Sequence, residues 1–418
     1  MLEQAMTPQS ERTLDKPVYR FGFVLTTAAG NQTRYLNLRK YADRDASIEC
    51  VWAPVSHHIE GNPYGRLPRM LQSRAIVSKQ AEPVMRQLSS LDAVMFHAFE
   101  PYAATSIRSV LHRSPCIVWS QDNPPIPRPA SHPQSQYGKE YERPAWRQRL
   151  RYKFDQWCAG RTALFLPFSS WAADVLTKDC GIPSDRVHPL HVGLDLESWP
   201  YVPREQAASS AVDGNLNILF VGGDFQRKGG ALLLDVFASE FSERASLTLV
   251  TGSAPDRLPK NTTVHSGVKP NDPLLRRLYA ECDLFVLPTF ADMSSWAALE
   301  AMATGRPVII SGVGGIPELI EDGTTGFLIS AGNREMLIDR LRILIESPSR
   351  RRAMGQAGRK RVEDLFNAQQ CVPSIIQLMK STVDRSRLAS SHSSSVSAPH
   401  HDKTHTDSSS SLEDRRRN

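Results

Sequence analysis

A chain of 418 residues exceeds what one small core organises and suits two domains of ordinary size with residues to spare. Its 40% hydrophobic and 22% charged residues exclude a disordered or fibrous chain, and no apolar run is long enough to span a bilayer. The net charge of +6 is mild; residues 1–200 hold 24 Lys and Arg against 19 Asp and Glu, so the excess sits mainly in the first half and suggests an anionic partner there.

Residues 1–17 are polar, with Glu3, Glu11 and Asp15, and read as a flexible leader rather than a signal peptide. Six cysteines without a C-x-x-C pair favour reduced thiols in a cytoplasmic protein over a disulfide framework or a zinc site. Phe21–Thr27 is the first predicted strand, and Ala28, Ala29 and Gly30 lead into a helix over 31–41. Strand, small residues and helix form a phosphate-cradling arrangement, but without G-x-G-x-x-G the lone Gly30 reads equally as a turn glycine or a ligand contact. Further strands are predicted over 48–55, 93–99 and 117–120. The last two end beside His97 and Asp122, and in an open parallel sheet that edge faces a cleft. His97 is therefore either structural or functional.

Residues 124–145, rich in Pro, Gln, Ser and Tyr, form a predicted long loop near a substrate. Trp146, Leu150, Phe154 and Trp157 then recur at helical spacing among Arg147, Arg149, Arg151 and Lys153. This basic helix over 143–161 reads as a solvated face on its own sheet, with peripheral contact to an anionic membrane as the alternative. A strand over 163–168, a helix capped by Ser169 and Ser170, and a last strand over 186–193 complete an N-terminal domain of residues 18–200. Prolines and small polar residues place a linker at 201–215.

The second domain, 216–380, restarts with the strand Asn217–Val221 and the loop Gly222, Gly223, Asp224, Phe225, Gln226, Arg227, Lys228, Gly229, Gly230 before a helix. Two cations and two glycine pairs between a strand and a helix suit a diphosphate, although this is not a Walker A loop, because Lys228 is followed by Gly229. Strands over 246–251 and 263–268 and a helix over 274–281 follow. Val286–Glu318 then reads as strand, loop, helix, strand and Gly-rich turn, with Asp292 on the loop and Glu300 on the helix addressing one place. A final strand over 324–330 and helices over 333–346 and 350–365 close the domain. Residues 381–418, dominated by Ser, His, Asp and Arg, are read as a disordered tail.

Four motifs in order, Gly222–Gly230, Asp292–Glu300, Gly314–Glu318 and Asp322–Leu328, make the sequence resemble the retaining GT-B glycosyltransferases of family 4, the glycosyl transferases group 1 family. The specific match runs over about 217–372 and a weaker one over 20–200. The resemblance implies an α/β chain of two Rossmann-like, doubly wound parallel-sheet domains facing a cleft. The second would hold a nucleotide-sugar donor, UDP- or GDP-linked, and the first a glycan, polysaccharide or lipid-linked acceptor. By the same resemblance Glu300 would hold the ribose hydroxyls, and Asp292, Met293, Ser294 and Ser295 the donor sugar and its phosphate. Arg227 and Lys228 would stabilise the diphosphate beside Gly222 and Gly223, His97 would lie by the transferred sugar, and Gly30 by the phosphates. Ser169 occupies a position where the family commonly has Ser. No metal or other cofactor is expected, the Asp43–Asp45 pair reading as helix-terminal residues.

Two positions depart from the family pattern: Asp292 stands where Glu is usual, and Gly223 where many members carry Arg, leaving that role to Arg227. The departures make a non-catalytic scaffold that binds nucleotide or glycan one alternative, and a sugar-nucleotide epimerase of the same fold a second. A nucleic-acid binder is disfavoured, since basic and aromatic residues cluster only in the 143–161 helix. The location expected is cytoplasmic, at most peripheral at the inner face of a membrane.

Overall fold

The structure, a computed structural model, describes residues 19–27, 30–56, 63–66, 69–97, 116–120, 153, 156–203 and 216–395. The first domain is built on five parallel strands: β1 (Tyr19–Thr26), β2 (Ile48–Val55), β3 (Ala93–Phe96), β4 (Cys116–Trp119) and β5 (Thr162–Phe165), in the order β2-β1-β3-β4-β5. The central strands β3 (AVMF) and β4 (CIVW) are apolar throughout because both faces are covered, whereas β1 carries Arg20 and β2 the exposed Glu49. Along β1 the period-two alternation sends Phe21, Phe23 and Leu25 into one core with Tyr35 and Leu38, and Val24 into another with Val84 and Leu91. The described helices of this half are α1 (Asn31–Ala42), α2 (Arg69–Gln80), α3 (Glu82–Met85) and α4 (Ser170–Asp174).

The second domain has six parallel strands: β6 (Leu216–Val221), β7 (Ala245–Val250), β8 (Thr262–His265), β9 (Leu284–Leu287), β10 (Val308–Ser311) and β11 (Gly326–Ile329), in the order β11-β10-β9-β6-β7-β8. Helices α5 (Gly230–Val236), α6 (Pro273–Glu281), α7 (Trp296–Ala303), α8 (Ile316–Leu319), α9 (Arg334–Glu346) and α10 (Pro348–Leu365) accompany them. One core, from Ile218 and Phe220 through Leu299 and Met302 to Leu341 and Val362, holds this half together. In each sheet the winding direction reverses once, between β1 and β3 and between β6 and β9. Loops diverge at such switch points, and the crevice between them is where doubly wound sheets hold ligands.

Three expectations change. The strand expected over 93–99 stops at Phe96, so His97 lies just past its end. Residues 186–193 make only an isolated bridge, Phe165 to Val187, with the His188 N–H donating to the Phe165 carbonyl and the Leu190 N–H to the Pro167 carbonyl, beyond the end of β5 at Phe165. The largest change is at the C-terminus, where the helix α11 (Ala368–Ser395) runs through the boundary expected at 380 and into the stretch read as a disordered tail.

That helix returns to the first domain. Val372, Ile375, Ile376, Met379 and Val383 lie on one face and join the core of Phe21, Phe23 and Met95. Polar contacts continue along it: Lys380 to Asp45 at 2.8 Å, the Tyr19 hydroxyl donating to Asp384 at 2.9 Å, and Arg387 to Asp92 at 2.6 Å. Ser-rich composition hid an amphipathic face that persists to Val383. The chain passes between domains beside Gly193, where the Leu194 N–H donates to the Phe366 carbonyl and the Ala368 N–H to the Leu194 carbonyl.

The leader 1–17, the loop 124–145, Asp122 and the tail from 396 onward fall outside the described residues, as does most of the basic 143–161 stretch. Of the latter, Lys153 and residues 156–161 are helical, and the Arg161 guanidinium stacks on Trp157 at 4.0 Å. Among the described residues, no helix is long and apolar enough to cross a membrane.

Candidate active site

A cleft of about 660 Å³ opens between the two switch points. Gly30, Asn31, Thr33, His97 and Phe168 form its first-domain wall, and the loops after β6, β7, β8 and β9 form the other. All eleven residues singled out from the sequence line this one cleft: Gly30, His97, Gly222, Gly223, Arg227, Lys228, Asp292, Met293, Ser294, Ser295 and Glu300.

Several contacts among the described residues join the two domains beside the cleft. The Glu318 carboxylate accepts from the backbone N–H of Ser170 and of Trp171, both at 2.8 Å, so an acid on α8 completes the positive end of α4. Ser169 caps the same helix, accepting from the Ala172 N–H at 3.2 Å, and packs against Gly315, where a Cβ would lie 2.7 Å from the serine hydroxyl. Asn271 donates to Thr33 at 3.1 Å. Gly30 lies under the Trp296 indole, and a Cβ there would come within 2.9 Å of its ring.

The β6–α5 loop is shaped by its glycines. Gly229 has φ +77° and is packed against the Pro288 carbonyl, so no side chain fits there. A Cβ built on Gly223 would by contrast meet no described atom within 4 Å, and Gly223 lines the cleft. Arg227 bridges loops: its Nε donates to Asp224 at 3.1 Å, its Nη1 to the Ala291 carbonyl at 2.7 Å, and its own carbonyl accepts from the Phe290 N–H. The Lys228 ammonium pairs with the Asp292 carboxylate, and both are largely buried. Each cation is thus held at the cleft wall by an acceptor that an anionic ligand would compete with.

Asp292 also accepts from the Met293 N–H at 3.1 Å, and Ser295 caps α7 by accepting from the Ala298 N–H at 3.3 Å. Gly314, at φ +59°, presses on the Asp292 carbonyl, while the Gly315 N–H donates to the Met293 carbonyl at 2.8 Å. The second glycine turn therefore supports the carboxylate loop from behind. The Ser295 hydroxyl is engaged with its own helix, a division of labour the sequence did not reveal.

Burial and the nearby Arg34 guanidinium hold the His97 imidazole well below the usual histidine range, so it is neutral at physiological pH. Its Nδ1 is buried with no hydrogen-bond partner among the described residues. Arg34 itself is fixed by Ser120, to whose hydroxyl and carbonyl it donates, and lies 4.4 Å above the Phe168 ring. Burial pushes the Glu300 carboxyl up to about 8, against opposing pulls from Tyr279 and Arg276. Asp43 and Asp45, outside the cleft, accept from Trp52 and from Ser47 and Lys380.

The sucrose-phosphate synthase of Thermosynechococcus elongatus shares the fold, with a TM-score of 0.69 at 16% identity over 87% of this chain and 98% of that one. So does Anabaena Alr3699/HepE, solved in complex with UDP-glucose, with a TM-score of 0.64 at 16% identity over 87% of this chain and 100% of that one. Residues 215–347 match the glycosyl transferases group 1 family. Over 354 residues the chain is 27% identical to alpha-maltose-1-phosphate synthase of Mycolicibacterium smegmatis, covering 79% of this chain and 88% of that one. The chain has the GT-B fold, and residues 215–347 carry a glycosyl transferases group 1 domain.

The cleft contains residues that sequence reasoning missed: Thr251, Gly252, His265, Lys269, Leu275, Trp296 and Phe168 also line it. The strand-edge argument that found His97 applies equally to the ends of β7 and β8, and would have found Thr251 and His265. Glu318 and Asn271 had no such signal, because their partners lie in the other domain.

Proposed function

We propose that this glycosyltransferase moves a sugar from a UDP- or GDP-linked donor to a glycan, polysaccharide or lipid-linked acceptor, with retention of anomeric configuration. The observation that carries the reading is the placement of Arg227, Lys228 and the start of α7 opposite Gly30 and His97 across one cleft. Charge builds on the departing nucleoside diphosphate in the transition state, and fixed cations and helix N-termini stabilise it without reorganising. The diphosphate takes over Lys228 from Asp292 and Arg227 from the Ala291 carbonyl. Glu300, deep in the wall, receives the ribose hydroxyls. His97, neutral, meets a sugar hydroxyl as a hydrogen-bonding group rather than as a cation.

Asp292 is held by Lys228 and the Met293 N–H, an arrangement that suits it to orient a sugar hydroxyl more than to attack the anomeric carbon. Retention then follows a front-face course: the acceptor hydroxyl attacks from the side the diphosphate leaves, and a diphosphate oxygen takes its proton. The fixed cations do the charge stabilisation, so the reading needs no metal. It expects a cytoplasmic enzyme, with peripheral contact to a membrane through the 143–161 stretch as the alternative to a solvated basic face.

Thermal unfolding with a panel of nucleotide sugars tests donor choice, since a ligand at about a hundred times its Kd stabilises by about 2.7 kcal/mol. A UDP- or GDP-sugar should raise the midpoint, and NMR of the product should show the donor's anomeric configuration. An inverted product rejects the front-face course.

A further inference from the structure

Glu300 sits on α7 facing the cleft, and behind it α6 presents Arg276 and Tyr279, three residues apart on one helix face. Among the described residues, the Arg276 Nε and the Tyr279 hydroxyl are buried without a well-formed hydrogen bond, although the Tyr279 hydroxyl lies close enough to Glu300 to pull on its carboxyl. Orphaned donors in a packed core are costly, and two beside one acid need a reason. The Tyr279 ring is held edge-on by Trp199, with centroids 5.5 Å apart, and lies 5.8 Å from Phe285, so its hydroxyl cannot turn away to water. Arg276 rests over the same Trp199 at 5.8 Å.

We propose that Tyr279 and Arg276 are positioning residues that make Glu300 a two-state carboxyl, neutral in the free enzyme and ionised once a ribose diol occupies the cleft. The proposal rests on the reading of Glu300 as the ribose-binding group. In the free enzyme burial holds the proton on Glu300, whose carboxyl titrates at about 8. When the two ribose hydroxyls donate to it, the carboxylate becomes the better acceptor, and the proton leaves to bulk solvent. Tyr279 then donates to the new anion and the Arg276 charge faces it. Among the described residues, the groups that act on Glu300 from α6 are these two, with Cys282 beyond, beside Tyr279; Arg227, Lys228, His265 and Asp292 line the same cleft from the other loops. No covalent bond changes in this step.

Calorimetric titration of the full chain with UDP-glucose and with GDP-mannose, in buffers of low and high ionisation enthalpy, tests this. Both phosphates of these probes are diesters and lose no proton in the range. At pH 7 binding should release close to one proton, and affinity should rise about tenfold per pH unit from about 5.5 to 7.5, levelling above about 8. Tyr279→Phe should shift the levelling point upward and weaken binding at pH 7, with recovery at pH 9. Its melting temperature should be unchanged or higher, because a buried hydroxyl without a well-formed hydrogen bond is removed. Glu300→Gln should bind weakly with no proton release.

Binding with equal heats in both buffers overturns the coupling and leaves the reading of the site standing. A Tyr279→Phe profile identical to the wild type overturns the positioning role. Failure of both probes to bind at any pH overturns the coupling and the ribose role together.

Discussion

At the scale of residues, the cleft is built from charged groups that answer one another before any ligand arrives. Removing the Lys228 ammonium leaves Asp292 buried without its cation and, on the proposed function, takes away charge stabilisation in the transition state. Lys228→Met should therefore lower turnover by about 100-fold or more, measured as initial rates of nucleoside diphosphate release; a loss under tenfold argues against a transition-state role. The two perturbed acids and bases act in opposite directions on stability. His97 has its folded value depressed, so the unfolded chain binds more protons and stability falls as pH drops below about 6.5. Glu300 has its folded value raised, so stability falls as pH climbs from about 4.5 toward about 8. Glu300→Gln should flatten the alkaline decline in denaturant midpoints over that window and leave the acid side intact. Legibility at this scale followed strand edges only in part: Gly30, His97, Arg227 and Asp292 were singled out, whereas Gly252 and Lys269, directly after the predicted strands 246–251 and 263–268, were passed over. Trp296 was not singled out either, since nothing in its local sequence distinguishes a cleft-lining side chain from a core one.

At the scale of elements, nearly every strand was readable because parallel strands buried on both faces leave unbroken apolar runs, as in AVMF of β3 and LFVL of β9. Helix α11 shows the opposite case. Its composition after Ser381 signals disorder, yet Val383 lies in the core of the first domain and Asp384 and Arg387 reach Tyr19 and Asp92. A chain ending at Lys380 should lose the burial of Val383, worth about 1.5–3 kcal/mol, along with those polar contacts. Its thermal midpoint should drop by several degrees; an unchanged midpoint would restore the reading of that stretch as a dispensable tail. The β6–α5 loop depends on Gly229 in the same local way. Gly229→Ala would set a side chain against the Pro288 carbonyl at a left-handed φ, at a cost of at least about 1–2 kcal/mol in urea unfolding.

At the scale of the whole molecule, two doubly wound domains are placed so that their switch points face each other, and the first domain is completed by a helix from the far end of the chain. This arrangement was legible only through the motif order, because pairings such as Glu318 with the α4 N-terminus join positions far apart in sequence that no local pattern connects. Glu318→Ala removes two charge-assisted hydrogen bonds between the domains, about 1–2 kcal/mol at a partly exposed site. Transfer should slow roughly tenfold, while nucleotide affinity, which rests on the second domain, should stay near the wild-type value. Equal losses in both would show that the latch supports folding rather than domain placement. The central claim is that the cleft between the domains performs sugar transfer, with charge stabilisation by the β6–α5 loop and ribose binding by α7. The most direct test is the rate of nucleoside diphosphate release from UDP- and GDP-sugars by the purified enzyme, beside Arg227→Ala and Glu300→Ala. We predict turnover by the wild type and a large loss in both variants; unaltered rates in both would contradict the account.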